Sequence, residues 1–227
     1  MQTRPFLKPS SLRQTALGLT AGALLAGAVP AIHAQTPTPA GPVQILFDAG
    51  WRPGGGKNAD TSTIRVRAAA ENNAADFFYG FLGTKGESPE LYGYDEYFFE
   101  KSPEWAALPK QVTVEVKFNE AKVQGDGPRR LMIRFQDAKG TVFQWNLAKV
   151  NSYKWTPYAT QLKQSVDGFY SWNESVKDAQ GKTVTHGKGD TVEVVPPVKL
   201  LGLIIHSQAP GDDAHGIMAL RNLRIEP

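Results

Sequence analysis

Cysteine is absent from this 227-residue chain. That excludes a disulfide framework, a thiolate metal site, a catalytic thiol and a lipid-modified cysteine. Acidic residues are absent from positions 1–34, where Arg4, Lys8 and Arg13 lie. Those three side chains account for the whole formal charge of +3, so residues 35–227 hold 22 basic and 22 acidic groups. A chain this balanced, whose longest basic run past residue 34 is Arg129-Arg130, lacks the concentrated basic face that phosphate-driven nucleic-acid binding needs. The apolar stretch Thr15–Val29 is shorter than the ~20 residues of a bilayer-crossing helix. No Gly-x-Ser-x-Gly nucleophile elbow occurs, and Gly54-Gly55-Gly56-Lys57 is followed by Asn58 rather than the Ser or Thr of a phosphate loop.

What is present begins with a leader. A basic segment over residues 1–14 precedes the apolar stretch, and Pro30-Ala31-Ile32-His33-Ala34 then offers small or aliphatic residues at a cleavage point. This is the layout of a secretory signal peptide cut after Ala34. No twin arginine precedes it, which favours the general secretory route. The expected product is secreted or periplasmic, with no membrane attachment after cleavage. Residues 35–42 (QTPTPAGP) read as an extended Pro- and Thr-rich linker. Residues 43–227 read as one domain.

The period of that domain is two. In Gln111–Phe118, Val112, Val114, Val116 and Phe118 share one face, and Gln111, Thr113, Glu115 and Lys117 the other. Leu131, Ile133 and Phe135 alternate with polar or flexible neighbours. Asp137-Ala138-Lys139-Gly140 then reads as a turn and Thr141–Leu147 as the returning strand. Val43–Phe47, Ile64–Ala69 and Phe77–Leu82 are further strand candidates. Val198–Ser207 is a nearly continuous apolar run, suited to a strand covered on both faces. In Ile217–Ile225 the pair Met218/Leu220 is out of phase with Leu223/Ile225, which predicts a bulge near Arg221-Asn222. Helix signals are confined to single turns at Glu71–Ala75 and Pro103–Leu108, the second with Ser102 as a cap. Many short strands between Gly/Pro/Asp-rich segments predict an all-β, two-sheet antiparallel sandwich with few short helical turns.

From Gln111 onward the succession VTVEVKF, QGDGP, RLMIRFQDAKGTVFQWNL, Trp155, LLGLIIHS and ALRNLRIEP resembles the galactose-binding-like jelly rolls, a superfamily rich in carbohydrate-binding modules. The opening LFDAGW (Leu46–Trp51) looks like the acidic-plus-Trp entry of those modules. The resemblance implies a jelly roll that binds carbohydrate without catalysis. It also implies a structural calcium held by an acid near the first strand, here Asp48, and by an acidic pair in the last. Arg221 and Asn222 stand where that pair would fall, and an arginine is a poor neighbour for a hard cation. No cofactor is therefore expected.

All five Trp and seven Tyr lie beyond residue 34. Sugars offer C–H faces that stack on aromatic rings and hydroxyls that need amide, carboxylate or guanidinium partners. Trp145, in phase with Phe143 and Leu147, reads as core. Trp155, Tyr158, Tyr170 and Trp172 fall in a loop-rich stretch among Lys154, Gln161, Lys163 and Asn173, and are the first ligand-contact candidates. Tyr92 and Tyr94, with Tyr97, flank Asp95-Glu96 in a Gly-containing loop and come second. Trp51, beside the Gly54–Gly56 loop, is third. Asp212, Asp213, His215 and His206 match no metal motif, and no metal site is expected. No spacing singles out the facing carboxylate pair of a glycoside hydrolase, and Tyr, His and Arg form no tight lyase motif. The expected function is a secreted, non-catalytic module for a carbohydrate polymer or oligosaccharide. The alternatives are a polysaccharide-active lyase or hydrolase on the same scaffold and a structural protein of the cell envelope.

Overall fold

The computed structural model describes residues 39, 41–69, 73–82, 93–118, 129–207 and 213–227, all within one compact unit, Thr36–Pro227. Their elements, in chain order, are β1 (Val43–Gln44), β2 (Trp51–Lys57), β3 (Arg65–Ala68), β4 (Ala74–Phe81), β5 (Tyr94–Phe99), β6 (Glu104–Trp105), β7 (Gln111–Phe118) and β8 (Arg129–Gln136). Next come β9 (Thr141–Val150), β10 (Thr156–Gln161), β11 (Ser165–Asp167), a single 3-10 turn (Gly168–Tyr170) and β12 (Ser171–Lys177). The last are β13 (Thr183–Thr185), β14 (Thr191–Glu193), β15 (Val198–His206) and β16 (Ala214–Glu226). The six-stranded sheet runs β10-β7-β16-β4-β3, with β1 also on β16. The eight-stranded sheet runs β13-β12-β9-β8-β15-β5-β2, with β6 also on β15. Every pairing is antiparallel, and β11 with β14 makes a two-stranded ribbon. The chain is the all-β sandwich that its period of two predicts.

The core is where the alternation puts it. Val112, Val114, Val116 and Phe118 from one sheet face Leu131, Ile133, Phe135, Phe143 and Trp145 from the other, all in one buried cluster. The β8–β9 hairpin closes on Asp137. Its Oδ1 accepts from the backbone N–H of Lys139 and Thr141 (2.9 Å each) and its Oδ2 from Val195 N–H at 3.1 Å. Three backbone donors on one buried carboxylate fix both the turn and the chain that passes it. The predicted bulge is present. The pairing of β16 with β7 shifts register between Arg221 and Arg224, and Asn222 takes φ +55°, so Leu220, Leu223 and Ile225 all reach the core.

Several expectations need correction. Pro103–Leu108 is not a helical turn. Ser102 Oγ accepts from Leu200 N–H (2.8 Å) instead of capping, which docks Glu104–Trp105 on β15 as β6. Ala74-Ala75 open β4 rather than closing a helical turn, and Glu71 and Asn72 lie outside the described residues. Gly54–Gly56 is not a loop but part of the edge strand β2. A Cβ built at Gly56 would sit 1.9 Å from the Tyr94 carbonyl oxygen, so glycine allows β2 to approach β5. The Tyr94–Tyr97 segment is likewise a strand, and the stretch between Asn151 and Asn173 holds β10, β11 and the start of β12.

Candidate functional site

The outward face of the eight-stranded sheet is built from cross-strand rows whose members sit about 4.8 Å apart. One row pairs Lys57 with Tyr94, Tyr94 with His206 and His206 with Arg130. The next pairs Glu96 with Ile204, Ile204 with Met132 and Met132 with Asn146. A third takes Phe98 to Gly202, Gly202 to Arg134 and Arg134 to Gln144. Trp172 and Thr185 extend the surface on β12 and β13. The phase along β15 depends on an irregularity between Leu200 and Gly202, where a Cβ would lie 1.9 Å from the Tyr97 carbonyl oxygen. That irregularity keeps Leu200, Leu203 and Ile205 in the core and turns Ile204 and His206 to the groove.

These rows floor a groove of about 460 Å³, lined by Lys57, Tyr94, Glu96, Arg134, Gln144, Trp172, Glu174, Lys182, Thr183, Thr185, Ile204 and His206. Its centre is fixed by one guanidinium. Arg134 Nη1 donates to Glu96 Oε1 at 2.6 Å, and its Cζ lies 4.3 Å over the Trp172 ring. The pair is largely buried, with side-chain exposures of 6% for Arg134 and 18% for Glu96. Tyr94 and His206 form a parallel pair, ring centroids 6.3 Å apart and planes within 14°. Burial, then the Glu96 charge, pushes the Tyr94 phenol above its ordinary value. Burial pulls the His206 imidazole below its ordinary value, although Nδ1 meets the Ser207 carbonyl oxygen at 2.8 Å. Three cations line the groove (Lys57, Arg134, Lys182) against two carboxylates, Glu96 and Glu174.

Of the aromatic side chains singled out in the sequence, Trp172 and Tyr94 meet in this groove. Trp155 and Tyr158 do not. They belong to β10 and the segment before it, on the other sheet. The Trp155 ring lies 4.5 Å from Lys117 Nζ and 4.3 Å from Arg221 Cζ, and Tyr158 packs against the core while its hydroxyl donates to the Lys149 carbonyl at 3.3 Å. Trp51 packs among Phe47, Phe77 and Phe99, ring centroids 4.9–5.5 Å away, and its indole N–H donates to the Leu46 carbonyl at 3.1 Å. Tyr170 lines a separate cleft beside β9. Tyr92 lies outside the described residues, as does Asp212.

The histidines do not converge. His206 faces the groove, whereas His215 Nε2 meets Asp60 Oδ2 at 3.2 Å beside the six-stranded sheet. Among the described residues no three His, Asp or Glu side chains are grouped as metal ligands. Asn222, where the resemblance would place a calcium ligand, donates to Glu115 Oε1 at 2.8 Å, and Asp48 is exposed.

Sequence reasoning noted Glu96 only as a neighbour of Tyr94, and it did not single out Arg134, Gln144, Glu174 or Lys57. One signal was available: Arg134 stands between Ile133 and Phe135 in the apolar middle of β8, and a long cation there must find a partner.

No family model matches the chain, and no curated protein matches it. Among solved structures, it is similar to a family 11 carbohydrate-binding module from Clostridium thermocellum in complex with a β-1,3-1,4-mixed-linked tetrasaccharide. That similarity has a TM-score of 0.46 at 13% identity and covers 82% of this chain and 95% of the other. It is also similar to a family 28 carbohydrate-binding module specific for non-crystalline cellulose, with a TM-score of 0.36 at 14% identity, covering 80% and 92%.

Proposed function

We propose that this protein is an exported, non-catalytic carbohydrate-binding domain that holds a glycan chain in the groove on its eight-stranded sheet. One observation carries the reading. Two aromatic side chains, Tyr94 and Trp172, share the groove with amide, carboxylate and guanidinium groups, and the guanidinium is already locked in place by Glu96. Rings supply stacking area for sugar C–H faces, while fixed polar groups select hydroxyl positions at small entropic cost. Arg134 is committed to Glu96, and Glu174 stands with Lys57 and Lys182, so the groove lacks the concentrated cationic face a polyanion would need, which favours an uncharged glycan. The leader-like composition of residues 1–34 supports export.

Affinity electrophoresis against a panel of soluble neutral and acidic polysaccharides tests this. Retardation is expected on a neutral polymer and is weakened about tenfold in Trp172→Ala and Tyr94→Ala. Unretarded migration on every polymer overturns it. The enzyme reading has one feature in its favour, that Glu96 and Glu174 line the same groove. Glu96 already accepts from Arg134, which leaves it poorly suited to donate a proton to a leaving group. Release of reducing ends, or of an unsaturated product absorbing in the ultraviolet, would favour the enzyme.

A further inference from the structure

The third cross-strand row of the groove ends on Gln144, and the second row ends on Asn146. Both side chains stand on the outer face of β9, two residues and so roughly 7 Å apart. β12 pairs with β9 only over Thr141–Phe143. Beyond Phe143 that edge of β9 is met by side chains instead, and the Thr160 hydroxyl of β10 donates to the Asn146 carbonyl at 2.7 Å. The departure of β12 opens a cleft of about 390 Å³ whose walls come from β9, β10, β11 and the 3-10 turn. Gln144 lines this cleft and the groove alike.

Like the groove, the cleft sets an aromatic side chain beside side-chain amides and a lysine, without the groove's guanidinium. Tyr170 supplies a ring; Asn146, Gln161 and Lys163 supply hydrogen-bonding groups, and the core residue Trp145 backs the cleft. Trp145 is only 8% exposed, and its indole nitrogen has no hydrogen-bond partner among the described residues. Asp167 does not take part. Its carboxylate accepts from Phe169 N–H (2.9 Å) and Gly189 N–H (3.2 Å), which holds the turn that presents Tyr170.

We infer that this cleft is an additional subsite for the same uncharged glycan, so that the bound chain leaves the groove over Gln144 and places a further sugar between Tyr170 and Lys163. The inference rests on the groove being a glycan site. It makes the protein a reader of chain length, since a short oligosaccharide fills the groove alone and a longer one fills both.

Titration calorimetry with neutral oligosaccharides of two to eight units, drawn from whichever polymer retards the wild type, tests it. Affinity of the wild type is expected to rise with length until the cleft is filled. Tyr170→Ala, and the exposed Lys163→Ala as a variant that leaves the fold undisturbed, are expected to bind the shortest ligands as wild type does. Both are expected to lose about tenfold on the longest, the scale of one good contact. If both variants match wild type at every length while Trp172→Ala fails throughout, the subsite is overturned and the groove stands. If the wild type binds no glycan on the panel, both readings fall.

Discussion

The two sheets each carry a Trp, an Arg and a Glu in contact on their outer faces, and the two trios behave differently. On the eight-stranded sheet, Arg134 covers Trp172 at 4.3 Å and pairs with Glu96 at 2.6 Å. On the six-stranded sheet, Arg221 covers Trp155 at 4.3 Å and pairs with Glu115 at 2.7 Å. The chemistry is the same and the burial is not. Arg221 and Glu115 are 30% and 29% exposed, whereas Arg134 is 6% and Glu96 18% exposed. Glu115 is braced further by Asn222, whose amide and then the Arg221 guanidinium hold its carboxyl below the ordinary range. The surface trio ties a bulge to its neighbouring strand. The sunken trio builds the rigid floor of a groove.

The largest expected effect separates the trios by stability. Arg134→Ala leaves Glu96 in the groove wall without its cation and is expected to cost about 3 kcal/mol or more in urea unfolding. Equal costs for Arg134→Ala and Arg221→Ala would remove the distinction drawn from burial. A second test comes from behind the groove floor. Asp95, next to Glu96 on β5, points into the core. It is fully buried, its Oδ2 accepts from Gly80 N–H at 2.8 Å, and its Oδ1 has no partner among the described residues. Burial pushes its carboxyl up to about 7. A raised carboxyl binds its proton in the folded state more tightly than in the unfolded one. Its stabilising contribution is therefore complete below pH ~4 and is lost as pH rises to 7. Asp95→Asn is expected to raise stability at pH 8 by roughly 2 kcal/mol and to flatten the decline between pH 4 and 7, read by thermal unfolding across pH. A decline of the same steepness in the variant would assign it to other groups.

A smaller effect separates the trios by function. Trp172→Ala is expected to weaken glycan retention about tenfold, while Trp155→Ala leaves it unchanged. The reverse order would move the binding surface to the other sheet. The smallest effect is Arg221→Ala itself, at about 1 kcal/mol or less, because a pair this exposed is well solvated when broken.

Strands that obey the alternation rule were legible. β7 was readable to its end residues, the β8–β9 hairpin from its turn, and the bulge at Arg221-Asn222 from a phase conflict between apolar pairs. β5 was not, because it breaks the rule. It sends Asp95 and Tyr97 inward and Tyr94 and Glu96 outward, so its polarity pattern disagrees with its burial. β2 was hidden by its glycines, which read as loop and serve close approach. Within the groove, Trp172 and Tyr94 were singled out because aromatic type is visible in one dimension. Arg134, Gln144 and Glu174 were not, because an isolated polar residue on a strand acquires a role only from its cross-strand neighbours.

The sequence by itself determined the all-β class, the leader-like segment, the charge balance and the inward faces of the longest strands. All are properties of composition or of contacts between near neighbours in the chain. Only the tertiary structure decided which aromatics meet. Glu96 and Arg134 are 38 positions apart, and Lys57 and His206 lie farther apart still, yet they share one groove. Strand order, register and the irregularity at Gly202 bring them together, and these are set by the joint packing of both sheets rather than by any segment alone.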